Sequence, residues 1–356
     1  MEKAKRYLEV YESVKEDIIK GRYPVGTKLP SKRVMAEAKG MSLVTIEHAY
    51  ELLAEEGYIF TKEKSGYFVS FDDSEIYTGI KKRRLEALVR VPVTHTSDNA
   101  PGFSYSIYAK TVRKVLSEYG DYIMNKSAKN GTEELRSAIA DYLLRSKRLE
   151  VSSDQIIIGA GAEYLYGLIV QTFGQDTVYG VESPSYQKIA KVYTSGGGNV
   201  KMLKLGKDGI ESEELWNNKI KLLHITPYRS FPSGVTASAG KKREYLKWSR
   251  MNDTYIVEDD FESEFTPSRK PEETIFSLDN EGRVIYVNTF TKTIGSFSRC
   301  AYMVLPLNLL TLFTEKTGFY ECPVPTLDQL VIANLLDGGD FERHINRVRR
   351  FNRLHH

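Results

Sequence analysis

A lysine surrounded by hydroxyl residues is the first feature of this sequence that could carry covalent chemistry. Lys292 lies in the run Asn288-Thr289-Phe290-Thr291-Lys292-Thr293, and Arg299 follows it seven residues later. A lysine amine can form a Schiff base with a carbonyl compound, while an arginine and hydroxyl groups can bind phosphate. A lone lysine in such a loop is more often a solvated surface residue, so the run indicates a site only together with other groups.

Three other groups come where a predicted strand ends. Gly161, Ala162 and Glu163 lead from an apolar run into a helix, whose first N–H groups are free to bind an anion such as phosphate. Tyr186 places an aromatic ring in the loop after the next predicted strand. Asp259 belongs to three consecutive carboxylates, residues 258–260, which could hold a cationic ring nitrogen, bind magnesium or simply be solvated.

Each of these groups also has an ordinary structural explanation, but their order along the chain is informative. A turn for an anion, an aromatic ring, a carboxylate, a lysine and an arginine follow one another at strand ends. Together they describe a site for pyridoxal 5'-phosphate, in which the carboxylate holds the ring nitrogen and the lysine meets the aldehyde. The sequence therefore predicts this cofactor.

The elements that must position these residues alternate between strands and helices from about residue 103 onward. Apolar runs predict strands at 155–158, 177–181, 222–225, 255–257 and 284–287, and residues 132–144 have the pattern of an amphipathic helix. Strands separated by helices predict an α/β domain with a parallel sheet and with its chemistry at the carboxyl ends of the strands.

The first 71 residues follow a different pattern, of three helices and a hairpin. A helical pattern reaches Lys20 and stops at Gly21, and Ser31 and Ser42 are good N-caps for two short helices separated by Gly40. Two short helices joined by a tight turn predict a helix-turn-helix, and the β-rich runs on either side of residues 62–66 predict a hairpin, the wing. Residues 72–102 have no long periodic pattern and are predicted to be a linker.

Composition excludes several classes of protein. The 356 residues are 41% apolar and 27% charged, which is typical of a globular protein, and the net charge is only +3. Two cysteines, Cys300 and Cys322, cannot form a disulfide framework, and no apolar run reaches the ~18–20 residues of a membrane helix. We therefore expect a cytoplasmic protein without a membrane partner or a metal site.

Two sets of motifs carry a resemblance to known families. Leu29-Pro30-Ser31-Lys32-Arg33 and the stretch 42–59 resemble the winged helix-turn-helix of GntR-type regulators. The segment from Phe103 to the end, with its stretches 257–260, 289–293 and 302–306, resembles the large domain of fold-type I aminotransferases. The combination is similar to the MocR subfamily of transcriptional regulators, which includes PdxR-like and GabR-like proteins. It implies a DNA-binding domain at 1–71, the linker at 72–102 and an aminotransferase class I/II-like domain at 103–356.

The resemblance also implies roles for single residues. Lys292 matches the lysine that forms the internal aldimine, Asp259 the aspartate that keeps the pyridine nitrogen protonated, and Tyr186 the ring that stacks on the cofactor. Arg299 and residues 161–163 match the groups that bind the phosphate. The implied cofactor-binding set is Gly161, Ala162, Glu163, Tyr186, Asp259, Thr289, Thr291, Lys292 and Arg299.

Some positions depart from the family pattern. Phe261 stands where close relatives place a tyrosine that meets the cofactor's phenolic oxygen, so one hydrogen bond worth roughly 1 kcal/mol is expected to be absent or supplied elsewhere. The sequence ends at His356, where the family's small C-terminal domain would follow, and we expect most of that domain to be missing from it. The domain's arginine, which would fix a substrate carboxylate, is expected to be missing as well.

The DNA-binding head is expected to read an operator with its second short helix and its wing. N-terminal residues of such a helix can reach phosphates and base edges in the major groove. The expected contacts are Lys32, Arg33, Ser42, Thr45, Lys62, Lys64 and Gly66. Residues 1–70 contain twelve Lys and Arg against eleven Asp and Glu, so binding depends on segregating the charges. Leu43 replaces an arginine that reads bases in many relatives, which indicates altered or relaxed sequence reading.

Three functions remain open from the sequence. The first is a transcriptional regulator, a homodimer, that senses pyridoxal phosphate or an amine or amino-acid ligand through Lys292 and so alters operator binding. The second is a pyridoxal-phosphate-dependent aminotransferase with an accessory DNA-binding head. The third is a plain DNA-binding repressor whose aminotransferase-like part serves dimerisation. The resemblance favours the first, with transaminase activity at most residual.

Overall fold

The structure is a computed structural model that describes residues 3–62, 65–71, 101–266, 268, 272–295 and 298–355. The chain divides into two compact units, Met1–His95 and Thr96–His356, which are described separately below. Of the predicted linker, residues 72–100 lie outside the described residues, as does Lys64 of the predicted wing.

The first unit is the predicted winged helix-turn-helix. Its elements are α1 (Lys3–Ile19), α2 (Lys32–Lys39), α3 (Leu43–Glu55) and the antiparallel hairpin of β1 (Ile59–Lys62) and β2 (Gly66–Val69). The hydroxyls of Ser31 and Ser42 accept hydrogen bonds from the N–H groups of Val34 and Thr45, both at 3.3 Å, so the two predicted caps are confirmed. Gly40 ends α2 with φ +62°, a left-handed conformation that glycine adopts easily.

The second unit is an α/β domain. In chain order its helices are α4 (Tyr105–Tyr119), α5 (Glu133–Lys147), α6 (Ala162–Phe173), α7 (Gln187–Ser195), α8 (Ser212–Asn217), α9 (Ala239–Asn252), α10 (Ile275–Leu278), α11 (Leu310–Thr317), α12 (Thr326–Asp337) and α13 (Asp340–His355). Its strands are β3 (Ile156–Gly159), β4 (Val178–Ser183), β5 (Asn199–Lys204), β6 (Leu222–Ile225), β7 (Tyr255–Asp259), β8 (Val284–Thr289) and β9 (Ala301–Val304). The five predicted strands and the predicted helix at 132–144 are all present.

The strands form one sheet in the order β3-β9-β8-β7-β6-β4-β5. Strands β8, β7, β6, β4 and β5 pair in parallel, but β9 pairs antiparallel with both β3 and β8. The expectation of a parallel sheet is therefore wrong at β9. The described residues between β8 and β9 contain no α-helix, and without a helical crossover the chain turns back beside the strand it has just left.

The sheet buries apolar side chains on both faces. Ile156 and Ile158 of β3 belong to one apolar cluster with helices α5 and α12, whereas Ile157 belongs to another with α6. Alternate residues of a strand point to opposite faces, so helices must cover both sides of the sheet. This packing fixes the strands whose carboxyl ends carry the predicted site residues.

Candidate cofactor site and nucleic-acid interface

The predicted cofactor residues lie at one edge of the sheet. Strands β3, β4, β6, β7 and β8 run in the same direction, because β9 is antiparallel to both β3 and β8. Gly161 follows β3, Tyr186 follows β4, Asp259 ends β7 and Lys292 follows β8, while Arg299 precedes the antiparallel β9. The topology thus gathers the ends that a doubly wound sheet uses for ligands.

Asp259 is buried at this edge, with 5% of its surface exposed. Tyr166 of α6 donates its hydroxyl to Asp259 Oδ2, and His224 Nε2 of β6 lies 3.6 Å from the same oxygen. Tyr193 OH lies 2.6 Å from the other ring nitrogen of His224, Nδ1, while Nε2 is buried beside Asp259 without a hydrogen-bond partner among the described residues. These contacts fix the direction of the carboxylate from outside its own strand.

The three consecutive carboxylates have three different environments, and none of them is solvated. Glu258 accepts 2.8 Å hydrogen bonds from the N–H groups of Ile275 and Phe276, which begin α10. Asp260 Oδ2 lies 2.5 Å from Lys147 Nζ, a lysine of α5 that is also buried. Burial and the neighbouring charge of Asp260 raise the pKa of Glu258 to about 7. For Asp260, the ion pair with Lys147 and the hydrogen bonds from Ser263 and Tyr286 together outweigh burial and lower the pKa.

The contacts of the three carboxylates distinguish Asp259 from its neighbours. Glu258 is bound by backbone N–H groups and Asp260 by Lys147, whereas Asp259 ends β7 at the edge where the strand ends gather. Among the residues that the structure describes, no group of three or more histidine, cysteine, aspartate or glutamate side chains is arranged to hold a metal ion.

Lys292 is partly exposed, with 42% of its side chain accessible, and its Nζ lies 3.0 Å from Glu262 Oε1. The contact joins the loop after β8 to the loop after β7, so it brings Lys292 to the strand that ends in Asp259. The predicted hydroxyls support this loop: Thr291 Oγ1 donates to the carbonyl of Ser298 at 2.9 Å, and Thr289 Oγ1 donates to that of Cys300 at 3.4 Å.

The residues predicted to bind the phosphate lie close together. Gly161 has φ +93°, a conformation that favours glycine, and a Cβ there would lie 3.0 Å from Arg299 Nη2, so the guanidinium lies against this turn. Arg299 Nη2 lies 3.2 Å from Glu163 Oε2, and Lys188 Nζ of α7 lies 2.6 Å from Glu163 Oε1. The hydrogen bond from Lys188 and the charge of Arg299 lower the pKa of Glu163.

The loop after β4 carries the predicted aromatic ring. Tyr186 is 40% exposed, and its ring meets Phe231 edge to face with centroids 6.4 Å apart. The hydroxyl of the preceding Ser185 is buried without a hydrogen-bond partner among the described residues. Phe231 belongs to the loop after β6, where Ser230 donates to the buried Glu182 at 2.6 Å and burial raises the pKa of Glu182 to about 7.

Several residues of this edge were missed from the sequence. His224 had a detectable signal, because it is the one polar residue in the apolar strand run 222–225. Tyr166, Lys188 and Glu262 had none, since which helix or loop reaches the sheet edge depends on packing. Of the predicted residues, Gly161, Glu163 and Arg299 form one cluster. The ring of Tyr186 contacts Phe231, and Lys188 Nζ lies 5.7 Å from its centroid.

The helix-turn-helix exposes Arg33 and Ser42 of the predicted DNA contacts, while Lys32 and Thr45 are half-buried. Ser42 caps α3, and its hydroxyl lies 2.8 Å from that of Thr45 in the first turn. Leu43 is 44% exposed beside them, and Arg33 of α2 is exposed. Lys32 differs, because its Nζ pairs with Glu47 of α3.

Lys28, which precedes the helix-turn-helix, lies next to Gly66 of the wing. Gly66 has φ +116°, and a Cβ there would lie 3.1 Å from Lys28 Cε, so Lys28 packs across the hairpin. Lys62 at the end of β1 is exposed. The unit therefore presents lysines on its wing and short hydroxyl residues at the start of α3, both suited to phosphate contacts.

Comparison with protein families assigns the two units. Residues 6–69 match the family described as "Bacterial regulatory proteins, gntR family", and residues 113–356 match "Aminotransferase class I and II". The chain is 32% identical to the HTH-type transcriptional regulator YdeL of Bacillus subtilis, covering 98% of this chain and 76% of that protein. No helix within the described residues is long and apolar enough to cross a membrane.

Two further relatives are regulators with named roles. The chain is 27% identical to the pyridoxine biosynthesis regulator PdxR of Corynebacterium glutamicum, covering 97% of the chain and 76% of that protein. It is 26% identical to the probable rhizopine catabolism regulatory protein MocR of Rhizobium meliloti, covering 96% and 74%. The chain thus belongs to the gntR-family transcriptional regulators that carry an aminotransferase class I and II domain.

Solved structures identify the fold of the second unit. The kynurenine aminotransferase of Pyrococcus horikoshii, described in complex with PMP, superposes with a TM-score of 0.64 at 26% identity over 71% of this chain and 66% of that enzyme. The multiple substrate aminotransferase of Thermococcus profundus superposes equally well at 23% identity. The second unit has the fold of a pyridoxal-phosphate-dependent aminotransferase, and pyridoxal phosphate is the cofactor that this domain implies.

Proposed function

We propose that this protein is a transcriptional regulator whose operator binding responds to pyridoxal phosphate, or to an amine or amino-acid ligand that reacts with it. The observation that carries the proposal is the grouping of Asp259, Lys292 and the Gly161–Arg299 contact at one sheet edge of a chain that also has a winged helix-turn-helix.

The residues present at this edge fit the cofactor. Gly161 leaves room beside Arg299 that a Cβ would fill, which suits the close approach of a phosphate to the first N–H groups of α6. The buried Asp259 offers a carboxylate to a ring nitrogen, and the unpartnered Ser185 hydroxyl offers a further hydrogen bond. These features support the binding roles proposed for Gly161, Ala162, Tyr186, Asp259, Thr289, Thr291 and Arg299, and for Glu163 through its backbone N–H in the first turn of α6.

Pyridoxal phosphate, when bound, supplies an aldehyde that reacts reversibly with amines and a ring that withdraws electrons. Lys292 would provide the amine that meets this aldehyde, and its nitrogen lies 3.0 Å from Glu262 in the loop after β7. Asp259, hydrogen-bonded by Tyr166 and next to His224, would keep a proton on the ring nitrogen. The same groups suit a sensor, since an amine ligand competes with Lys292 for the aldehyde.

In the head, we propose that Arg33, Ser42, Thr45, Lys62, Lys64 and Gly66 contact the operator directly. Ser42 and Thr45 begin the recognition helix α3, and Lys62 and Gly66 flank the turn of the wing. Lys32 contributes more through its ion pair with Glu47, which links α2 to α3. We also propose a homodimer, because paired half-sites require paired heads. Large exposed apolar side chains of the second unit, such as Tyr105 and Met124, suit such an interface.

Cofactor binding and DNA binding are tested separately. Titration with pyridoxal phosphate should give the absorbance of bound cofactor in the wild-type protein and not in Lys292→Ala, while Lys247→Ala, at an exposed lysine of α9, should behave as wild type. A gel shift with the DNA upstream of the protein's own gene should show a complex whose amount depends on the cofactor. Unchanged absorbance in Lys292→Ala, or a complex indifferent to the cofactor, would overturn the proposal.

An aminotransferase with an accessory head is the second candidate, because Lys292 and Asp259 are also the groups that transamination requires. Steady turnover of an amino acid with a keto acid, lost in Lys292→Ala, would favour it. We expect no such turnover beyond a residual level.

A further inference from the structure

We propose that Glu163 restrains phosphate binding, acting as an internal anion that occupies the phosphate-binding cations of the α6 turn until a phosphate displaces it. The inference rests on the proposed function, in which Arg299 and the first N–H groups of α6 receive the cofactor's phosphate. It names a residue that sets how strongly the site discriminates phosphorylated from unphosphorylated ligands.

The contacts of Glu163 carry the proposal. One carboxylate oxygen lies 3.2 Å from Arg299 Nη2 and the other lies 2.6 Å from Lys188 Nζ, so a single carboxylate holds both cations. Glu163 lies in the first turn of α6, where the helix dipole also favours a negative charge. The carboxylate therefore already makes two of the interactions that an incoming phosphate would make.

Arg299 and Glu163 lie at the turn where the phosphate is proposed to bind. Arg299 Nη2 is the atom nearest to the missing Cβ of Gly161, at 3.0 Å, so the guanidinium lies directly over the turn that leads into α6. Because Glu163 is two residues beyond Gly161, its carboxylate and a phosphate bound at this turn would both lie close to Arg299. Like charges at such a separation disfavour each other.

The charge balance of the cluster gives the direction of the effect. Arg299 and Lys188 contribute two positive charges, and the Glu163 carboxylate cancels one of them. Lys188 and Arg299 together lower the pKa of Glu163, so this cancellation persists at neutral pH. A dianionic phosphate entering the turn must displace the carboxylate from Arg299 or accept its repulsion, and its affinity falls in either case.

The closing experiment compares two ligands that differ only in the phosphate. The dissociation constants of pyridoxal phosphate and pyridoxal are measured by absorbance for the wild-type protein, Glu163→Gln and Glu163→Ala. The matched control is Glu213→Gln, which removes an exposed carboxylate from the first turn of another helix, α8. Protection by inorganic phosphate against thermal unfolding provides a readout that needs no reaction with Lys292.

Both Glu163 variants should bind pyridoxal phosphate about two- to fivefold more tightly than wild type, the range for charge interactions of partly exposed groups, with pyridoxal unchanged. Phosphate protection should increase in parallel, the gain should shrink at high salt, and Glu213→Gln should match wild type. Unchanged or weakened binding of pyridoxal phosphate in the Glu163 variants would overturn the inference, as would an equal gain for pyridoxal.

The outcomes separate this inference from the proposed function. If Lys292 never reacts with the cofactor but the Glu163 variants gain phosphate protection, the proposed function fails and the restraint by Glu163 stands. If the cofactor reacts with Lys292 equally well in wild type and variants, the function stands and the restraint fails. Absence of any phosphate effect in all proteins would contradict both.

Discussion

Asp259 accepts a hydrogen bond from Tyr166 and lies beside His224, so its orientation depends on two side chains from other elements. A buried carboxylate that loses a donor pays the cost of an unsatisfied polar group. The strength with which Asp259 can hold a ring nitrogen should therefore respond to changes that leave Asp259 itself intact.

Tyr166→Phe removes the hydroxyl that donates to Asp259. We expect the free energy of unfolding to fall by about 1 kcal/mol and the dissociation constant of pyridoxal phosphate to rise about fivefold. Urea unfolding and absorbance titration measure the two effects. Tyr193→Phe removes a contact of His224 and none of Asp259, and it should spare cofactor affinity; equal losses in the two variants would contradict the role given to Tyr166.

Glu182 gives the protein a pH-dependent stability. Its pKa is raised by burial from 4.5 to about 7 in the folded protein, so between these values the folded state binds more protons than the unfolded state. The free energy of unfolding should therefore fall as pH rises from about 5 to 8, by on the order of 2 kcal/mol for this group. Glu258 adds to the same trend.

Urea unfolding between pH 5 and 8 checks this sign. Glu182→Gln keeps an acceptor for the Ser230 hydroxyl but cannot ionise, so its stability should decline less steeply with rising pH than that of the wild type. A variant curve parallel to the wild-type curve would show that Glu182 does not titrate differently on folding.

At the scale of elements, a buried ion pair joins α5 to the loop after β7. Lys147 Nζ contacts Asp260 Oδ2, which also accepts a 2.8 Å hydrogen bond from Tyr286 OH of β8. Glu264, 3.8 Å from the lysine, completes a cluster in which one cation faces two carboxylates. The cluster fixes the ends of β7 and β8 relative to each other and thus the loops that carry the site.

Lys147→Met should destabilise the second unit strongly, because it leaves a buried carboxylate unpaired. We expect a loss of about 3–5 kcal/mol in the free energy of unfolding, measured by urea. The double variant Lys147→Met with Asp260→Asn should recover part of this loss, since it removes the unpaired charge. A double variant less stable by the sum of the two single losses would contradict the coupling.

The head offers a comparison of two neighbouring cations on α2. Arg33 is exposed, whereas Lys32 is paired with Glu47, so Arg33 is free to contact a phosphate. Arg33→Ala should weaken operator binding and reduce the slope of log affinity against log salt by about 1. Lys32→Ala should change the slope less and lower the stability of the head instead; equal slope changes would show that both contact phosphate.

The sequence predicts helices and strands best where their bounds depend on local residues alone. Local caps set the ends of two helices: Ser31 and Gly40 for α2, and Ser42 for the start of α3. The five predicted strands are buried apolar runs. Strand β5 was missed because it lies at the sheet edge with mostly exposed residues. Strand β9 was not predicted either, and its antiparallel direction depends on the connection before it, which carries no periodic pattern.

In the whole molecule, the two units of one chain match two different protein families. The order of groups along the sequence predicted the cofactor, and the resemblance of its motifs to known families predicted the class of regulator. The partners that hold those groups, such as Tyr166 for Asp259 and Lys188 for Glu163, join residues from separate elements. Sequence order alone carries no information about such contacts, because they arise only when helices pack on the sheet.

The central claim is that chemistry at Lys292 changes the affinity of the head for DNA. Fluorescence anisotropy of a labelled duplex from the upstream region measures this affinity with and without pyridoxal phosphate, for wild type and Lys292→Ala. We expect the dissociation constant of the wild type to change by about fivefold or more, the lower range of allosteric coupling, and that of Lys292→Ala to stay the same. Equal affinities with and without cofactor in the wild type, or the same change in Lys292→Ala, would contradict it.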